Sequence, residues 1–153
     1  MPKRSAGLLI YRYREGTMEV FLVHPGGPFW KNKDEGSWMI PKGEIDEGEE
    51  ALPAAQREFQ EETGFEPPEP PYYPLPTIKQ AGGKVVEAFA VEGDCNPEQM
   101  KSNTFDMEWP PKSGRQQAFP EVDRGAWYAL PMAARKILKS QRPLLDALEK
   151  AIK

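Results

Sequence analysis

Cysteine and histidine are almost absent from this chain, with one of each, Cys95 and His24, among 153 residues. A single thiol excludes an intrachain disulfide and a cysteine-built zinc centre, so Cys95 reads as an ordinary thiol. His24 stands beside a Pro-Gly-Gly loop, does not look like a core residue, and is given no catalytic part. Long apolar runs are missing as well. The run Gly7–Tyr11 behind the basic start Met1-Pro-Lys-Arg is far shorter than a secretory signal core, and Arg12 and Arg14 interrupt it at once. No segment approaches the length of about 20 apolar residues that spans a bilayer. The chain is therefore expected to be soluble and cytoplasmic, with no membrane partner. An excess of positive charge is also lacking: 20 Lys and Arg face 24 Asp and Glu, a formal net charge of -4. Nucleic-acid binding through a broadly basic surface is not favoured. Phosphates stay within reach if cations intervene. Internal repeats and low-complexity tracts are absent too.

What is present is globular. Charged residues make up 29% and the hydrophobic set 39%, with four Trp, seven Phe and five Tyr to build a core. The length suits one compact domain over residues 1–153. Ser5–Tyr13 and Met18–Val23, separated by Arg14–Thr17, predict a hairpin. His24–Pro28 breaks regular structure, and Trp38–Ile40 predicts a short strand ended by Pro41–Gly43. Glu50–Thr63 turns helical, with Pro53 in the first turn, where its missing N–H costs little, and Gly64 as the stop. Glu66–Pro76 holds six prolines in eleven residues and reads as a stiff surface connection. Leu75–Gln80 and Lys84–Glu92 flank Gly82-Gly83 as a second hairpin. Thr104–Trp109 and Ala126–Leu130 predict strands, Ala133–Leu138 and Pro143–Ile152 helices. Such irregular alternation predicts an α/β fold, a mixed sheet covered by helices.

The chemistry concentrates on one helix. At about 100° per residue, Glu58, Glu61 and Glu62 share a face, since neighbours at i+3 and i+4 lie together. Three like charges there repel by a few tenths of a kcal/mol per pair, roughly. Ala51, Ala54 and Ala55 offer a small-residue floor earlier along that face, while Leu52 and Phe59 can dock the helix on a sheet. A carboxylate patch of this kind suits a hard divalent cation, which takes oxygen ligands and bridges protein carboxylates to phosphate oxygens. A solvated acidic helix face is the plainer alternative.

The surroundings favour the cation. Gly43, five residues, Glu49, seven residues and then Arg57-Glu58-Phe59-Gln60-Glu61-Glu62-Thr63-Gly64-Phe65 resemble the Nudix box, G-x5-E-x7-R-E-U-x-E-E-x-G-U, over residues 43–65. Every fixed position matches, with Phe at both U positions, and seven fixed residues at typical usage have a chance probability on the order of 10⁻⁹ per start.

The resemblance implies a Nudix-type α/β/α sandwich with a mixed sheet and the loop–helix–loop of the box. It implies Glu58, Glu61 and Glu62 as ligands of Mg²⁺, with Mn²⁺ a substitute, and one of them as a candidate base. Arg57 completes the catalytic set by holding the carboxylates, pairing either with Glu61 one turn on or with Glu49. Gly43 and Gly64 are assigned to tight turns that need φ > 0, and Glu49 to a structural part. Outside the box the leading base candidate is Glu121, followed by Asp123. Substrate phosphates need cations, for which Lys42, Arg4, Lys112 and Arg115 are the candidates. Phe29, Trp30 and Trp38 could stack on a nucleobase, although aromatic residues near strand ends are more often core.

The implied reaction is attack of water on a phosphoanhydride in a nucleoside diphosphate linked to another moiety. Trp38–Gly43 is similar to the lead-in of members acting on dinucleoside polyphosphates or diphosphoinositol polyphosphates. ADP-ribose and nucleoside triphosphates are the further alternatives. The marks of the ADP-ribose and dinucleoside-polyphosphate members, a Pro or a Tyr beyond the box, are absent from Gln80–Gly83. A catalytically silent member used for nucleotide sensing or protein binding would ordinarily have lost a box carboxylate, and none is lost. A homodimer is compatible with the family.

Overall fold

In the computed structural model residues 3–152 are described, so Met1 and Pro2 of the basic start lie outside them, as does Lys153. The first hairpin forms as expected and runs longer than expected: β1 is Arg4–Arg14 and β2 Thr17–Pro25, paired antiparallel from Tyr11↔Val20 to Arg14↔Thr17. Alternation along these strands explains the layers. Leu9, Tyr11, Val20 and Leu22 enter one apolar cluster, and Leu8, Ile10, Phe21 and Val23 enter another on the opposite face. Strands that are apolar on both faces must be covered on both.

The remaining strands are β3 (Lys42–Glu44), β4 (Tyr72–Pro74), β5 (Ile78–Lys79), β6 (Val85–Glu92), β7 (Thr104–Glu108), β8 (Gln116–Pro120) and β9 (Val122–Ala129). The main sheet orders β4-β6-β1-β2-β9, with β3 on β1 and β5 on β6. It is mixed because β1 and β6 run parallel while the other pairs are antiparallel. Helix α1 (Ala51–Thr63) covers one face through Ala54, Ala55 and Phe59. Helices α2 (Leu130–Lys136) and α3 (Arg142–Ile152) cover the other through Ala133, Leu144, Leu145 and Leu148. The result is the expected α/β/α sandwich. Among the described residues no helix is long and apolar enough to cross a membrane.

Several local expectations are corrected. Trp38–Ile40 is no strand: Trp38 and Met39 make single bridges to Ile137 and Val23, and the strand lies just after, in β3. The proline-rich connection contains β4, which pairs with β6 from Tyr72↔Val91 to Pro74↔Phe89. An outer strand tolerates Pro because its outward N–H has no partner to lose. The strand expected at Ala126–Leu130 begins earlier, as β9, and Leu130 opens α2 instead, with Pro131 in the first turn. Segment β8 was not anticipated. It pairs only with β7, from Thr104↔Pro120 to Glu108↔Gln116, as an arm separate from the main sheet. His24 is also core: it is 0% exposed in β2, lies against Trp38, and its ring nitrogens meet Asp123 Oδ1 at 2.9 Å and the Lys33 carbonyl at 2.7 Å. The break expected at His24 comes two residues later, at Gly26, since β2 continues through Pro25.

Candidate active site

Helix α1 ends on Gly64, whose φ of +79° is the left-handed cap that suits glycine, with its N–H donating to the Gln60 carbonyl at 2.8 Å. Beyond the cap, Lys101 and Asn103 donate main-chain N–H groups to the Thr63 and Glu61 carbonyls at 2.9 and 3.1 Å. These bonds satisfy the orphan acceptors of the last turn. The same Asn103 accepts from the Glu121 N–H at 2.9 Å, and the Glu121 carbonyl accepts from Gly26 at 2.9 Å. Glu121, eighteen positions on from Asn103, is thus pinned at the end of the acidic helix. No sequence signal marks Asn103 for this, because only its backbone is used.

Arg57 organises the outer side of the helix. Its Nε and Nη2 grip both Glu49 oxygens at 2.9 Å, and its Nη1 donates to Glu58 at 2.9 Å and to Glu61 at 3.1 Å. Both pairings open to it from spacing are therefore made at once. A bidentate fork of this kind is the strong form of an arginine–carboxylate contact. The Arg57 hydrogen bonds, then the Asp46 N–H, hold the Glu49 carboxyl down at about 2. The reciprocal bond from Glu49 keeps the guanidinium protonated well above its usual range.

On the inner side Glu62 is buried, Glu58 and Lys42 are half-buried and Glu121 is exposed. Glu62 is 5% exposed. Burial, then the charge of Glu121, push its carboxyl up to about 8 against an ordinary 4.5, with the ammonium and N–H of Lys42 pulling the other way. Its Oε1 has no hydrogen-bond partner among the described residues. Burial also raises Glu58, opposed by Arg57 and aided by Glu61 and Glu121. Burial and then Glu61 raise Glu121. Lys42 is lowered by burial, although Glu62 and Glu58 oppose the shift. Glu58, Glu61, Glu62, Glu121 and Lys42 therefore share one neighbourhood.

The other expected cations are elsewhere. Arg4 is tied to Glu87 at 2.5 Å, and Lys112 and Arg115 are exposed at the tip of the β7–β8 arm. Trp38 is 3% exposed and packs on His24 and Tyr128, so it cannot stack on a base. Phe29 and Trp30 are open to solvent. Cys95 has its thiol pushed up to about 12, chiefly by burial, which keeps it unreactive.

The donor set fits a hard divalent cation: carboxyl oxygens only, a buried acid with an orphan oxygen that ionises only against burial and neighbouring acids, and repulsion for a cation to relieve. As the side chains stand, no three Asp, Glu, His or Cys groups among the described residues converge on one point. Glu58 and Glu61 are both drawn to Arg57, so holding an ion requires side-chain rotation.

Gly43 corrects an expectation about backbone. It lies in extended β3, and its φ is not positive. What it supplies is space, since a Cβ there would stand 1.9 Å from Glu58 Oε2 and 2.0 Å from its Cδ. Gly43→Ala is expected to cost the fold only about 1 kcal/mol. Displacing Glu58 should weaken divalent-cation binding about tenfold. Calorimetric titration with a divalent cation checks this, and a wild-type affinity would show that Glu58 does not need that space.

A family model described as the NUDIX domain matches residues 1–148. An RNA pyrophosphohydrolase of Bartonella henselae is 34% identical over 67 residues, 41% of this chain and 36% of the relative. The asymmetrical bis(5'-nucleosyl)-tetraphosphatase of Caenorhabditis elegans is 39% identical over 65 residues, 42% of this chain and 43% of that one. The chain thus matches less than half the length of either relative. A C. elegans Ap4A hydrolase, solved as a binary complex, superposes with a TM-score of 0.71 at 24% identity, covering 98% of this chain and 97% of the other. That likeness bears on the fold.

Proposed function

Because the chain belongs to the NUDIX domain family, we propose that it is a Mg²⁺-dependent hydrolase of a phosphoanhydride bond in a nucleoside diphosphate linked to another moiety. The observation that carries this reading is buried Glu62, its carboxyl raised to about 8 by burial and by Glu121 and with an unpartnered Oε1, in the neighbourhood of Glu58, Glu61 and Glu121. Lys42 offsets that burial only in part, and a dication would supply the charge that lets the carboxyl ionise.

Glu58, Glu61 and Glu62 would hold the metal. When bound it supplies positive charge that offsets the phosphate oxygens and acidifies the attacking water. Arg57 is a positioning residue that binds one oxygen of Glu58 and one of Glu61 and leaves the other of each to turn toward the ion. Glu121 is the base: a carboxylate oxygen takes the proton of the water as it attacks phosphorus. Unlike Glu58 and Glu61, it has no ion-pair partner among the described residues, so its oxygens are open to that proton. Lys42, inside the cluster, is the cation best placed to meet a phosphate oxygen.

The names of the relatives, a pyrophosphohydrolase and a bis(5'-nucleosyl)-tetraphosphatase, support a nucleoside-linked polyphosphate, with a dinucleoside polyphosphate first. The test is product release from a panel of dinucleoside polyphosphates, ADP-ribose, nucleoside triphosphates and a diphosphoinositol polyphosphate, with Mg²⁺ and with chelator. Metal-dependent turnover of a nucleotide is expected. Ligand binding with no turnover anywhere on the panel would replace the enzyme with a sensing domain.

A further inference from the structure

A cleft of about 350 Å³ opens between the loop after β2 and the β7–β8 arm, lined by Pro28, Lys31, Trp109, Gln117, Phe119 and Asp123. The arm meets that loop edge to face, with the Phe29 and Trp109 rings 5.8 Å apart at 81°. Phe29 is 64% exposed, a cost in water that a ligand ring would relieve.

The polar side of the cleft is preset. The pairing of β2 with β9 steps from His24↔Arg124 to Pro25↔Val122, so Asp123 is the extra residue of a bulge. Bulges re-aim side chains, and this one turns Asp123 onto buried His24. Among the described residues the hydrogen bond to His24 and the ion pair with Arg124 both fall on Asp123 Oδ1, which leaves Oδ2 to accept from a ligand. Gln117 adds an amide that both donates and accepts. Lys31 lines the cleft and has no ion-pair partner among the described residues, which leaves its ammonium free for an anionic group of a ligand.

The cleft also has the right address. Its walls Pro120 and Asp123 flank Glu121, and Gly26, on the loop, holds the Glu121 carbonyl. Its volume is near the small end of ligand pockets, about 300 Å³, enough for one nucleoside and not two.

We propose that this cleft holds the amino-bearing purine of the substrate, stacked on Trp109 and read at its edge by Asp123 and Gln117. The proposal rests on the hydrolase reading for the position of the phosphates. The loop and arm then set which nucleotide is accepted, while the helix sets what is done to it.

The test uses the full chain carrying Glu121→Gln, so that bound nucleotide is not consumed, with Mg²⁺ present and calorimetry as the readout. ADP should bind about 10-fold to 100-fold more tightly than inorganic pyrophosphate, the advantage of one stacked base. Trp109→Ala should remove that advantage and leave pyrophosphate unchanged, and Trp109→Phe should keep most of it. Equal affinity for ADP and pyrophosphate, or ADP binding untouched by Trp109→Ala, would overturn the proposal. Binding of ADP through Trp109 in a chain whose wild type cleaves no anhydride would keep the cleft and sink the hydrolase. Metal-dependent cleavage with no Trp109 effect on ADP would do the reverse.

Discussion

Glu62→Gln is expected to lower kcat about 10³-fold, and at the same time to make the metal-free protein more stable above neutral pH. The two effects have one origin. Glu62 is a buried acid placed beside Glu121, with its Oε1 unpartnered and Lys42 as the compensating charge. Without a cation its carboxyl stands at about 8, against 4.5 for the free side chain. A raised acid pKa means that the folded chain holds the proton more tightly than the unfolded chain. The contribution of Glu62 to stability is then complete below the unfolded value of 4.5 and is lost as pH rises through about 8. In chelator, the wild-type Tm should fall across that window more steeply than that of Glu62→Gln. At pH 8.5 the variant should melt about 3 °C higher. Mg²⁺ reverses the order, because it binds the deprotonated site in the native state and raises the wild-type Tm by mass action. Thermal melts at several pH values, with and without Mg²⁺, measure all of this. Identical pH slopes in the two proteins, or equal Mg²⁺ shifts, would remove Glu62 from the metal site.

What could be read in the amino-acid order was mostly local. Glu58, Glu61 and Glu62 fall on one helix face from spacing alone, and α1 forms over nearly the expected residues. The β1–β2 hairpin was visible for the same reason, since its strands alternate onto two apolar faces and its turn is short. What stayed hidden depends on partners far along the chain. His24 looks like a loop residue beside Pro-Gly-Gly, yet it is buried, with its ring nitrogens placed against Asp123 and the Lys33 carbonyl. The strand β4 was masked by proline, whose cost vanishes at the outer position of a sheet. Gly43 was expected to relieve backbone strain, whereas the structure shows it making room for a side chain fifteen residues later. The arm of β7 and β8 was half visible, because Thr104–Glu108 has the strand pattern and exposed Gln116–Pro120 does not.

Glu121→Gln should cut kcat about as deeply as Glu62→Gln, roughly 10³-fold, but leave the metal site whole. The two variants are told apart by Mg²⁺. Glu121 is pinned by its backbone to Asn103 and Gly26, so an isosteric amide keeps the chain path and removes only the basic oxygen. The Mg²⁺-induced rise in Tm should therefore survive in Glu121→Gln and fail in Glu62→Gln. A base also leaves a mark in the pH profile. Its protonated form is inactive, and burial and Glu61 raise its pKa, so wild-type kcat should climb with pH through an acid limb displaced upward from an ordinary glutamate. In the variant that limb should disappear, with KM within about threefold of wild type because the ground state loses no contact. Asp123 makes a poorer base, since its Oδ1 already accepts from His24 at 2.9 Å and the bulge turns it toward the cleft. If Glu121→Gln kept kcat within about tenfold and retained the acid limb, the proton would have to go to a box carboxylate, and Glu61, the most exposed of the three, would take the part.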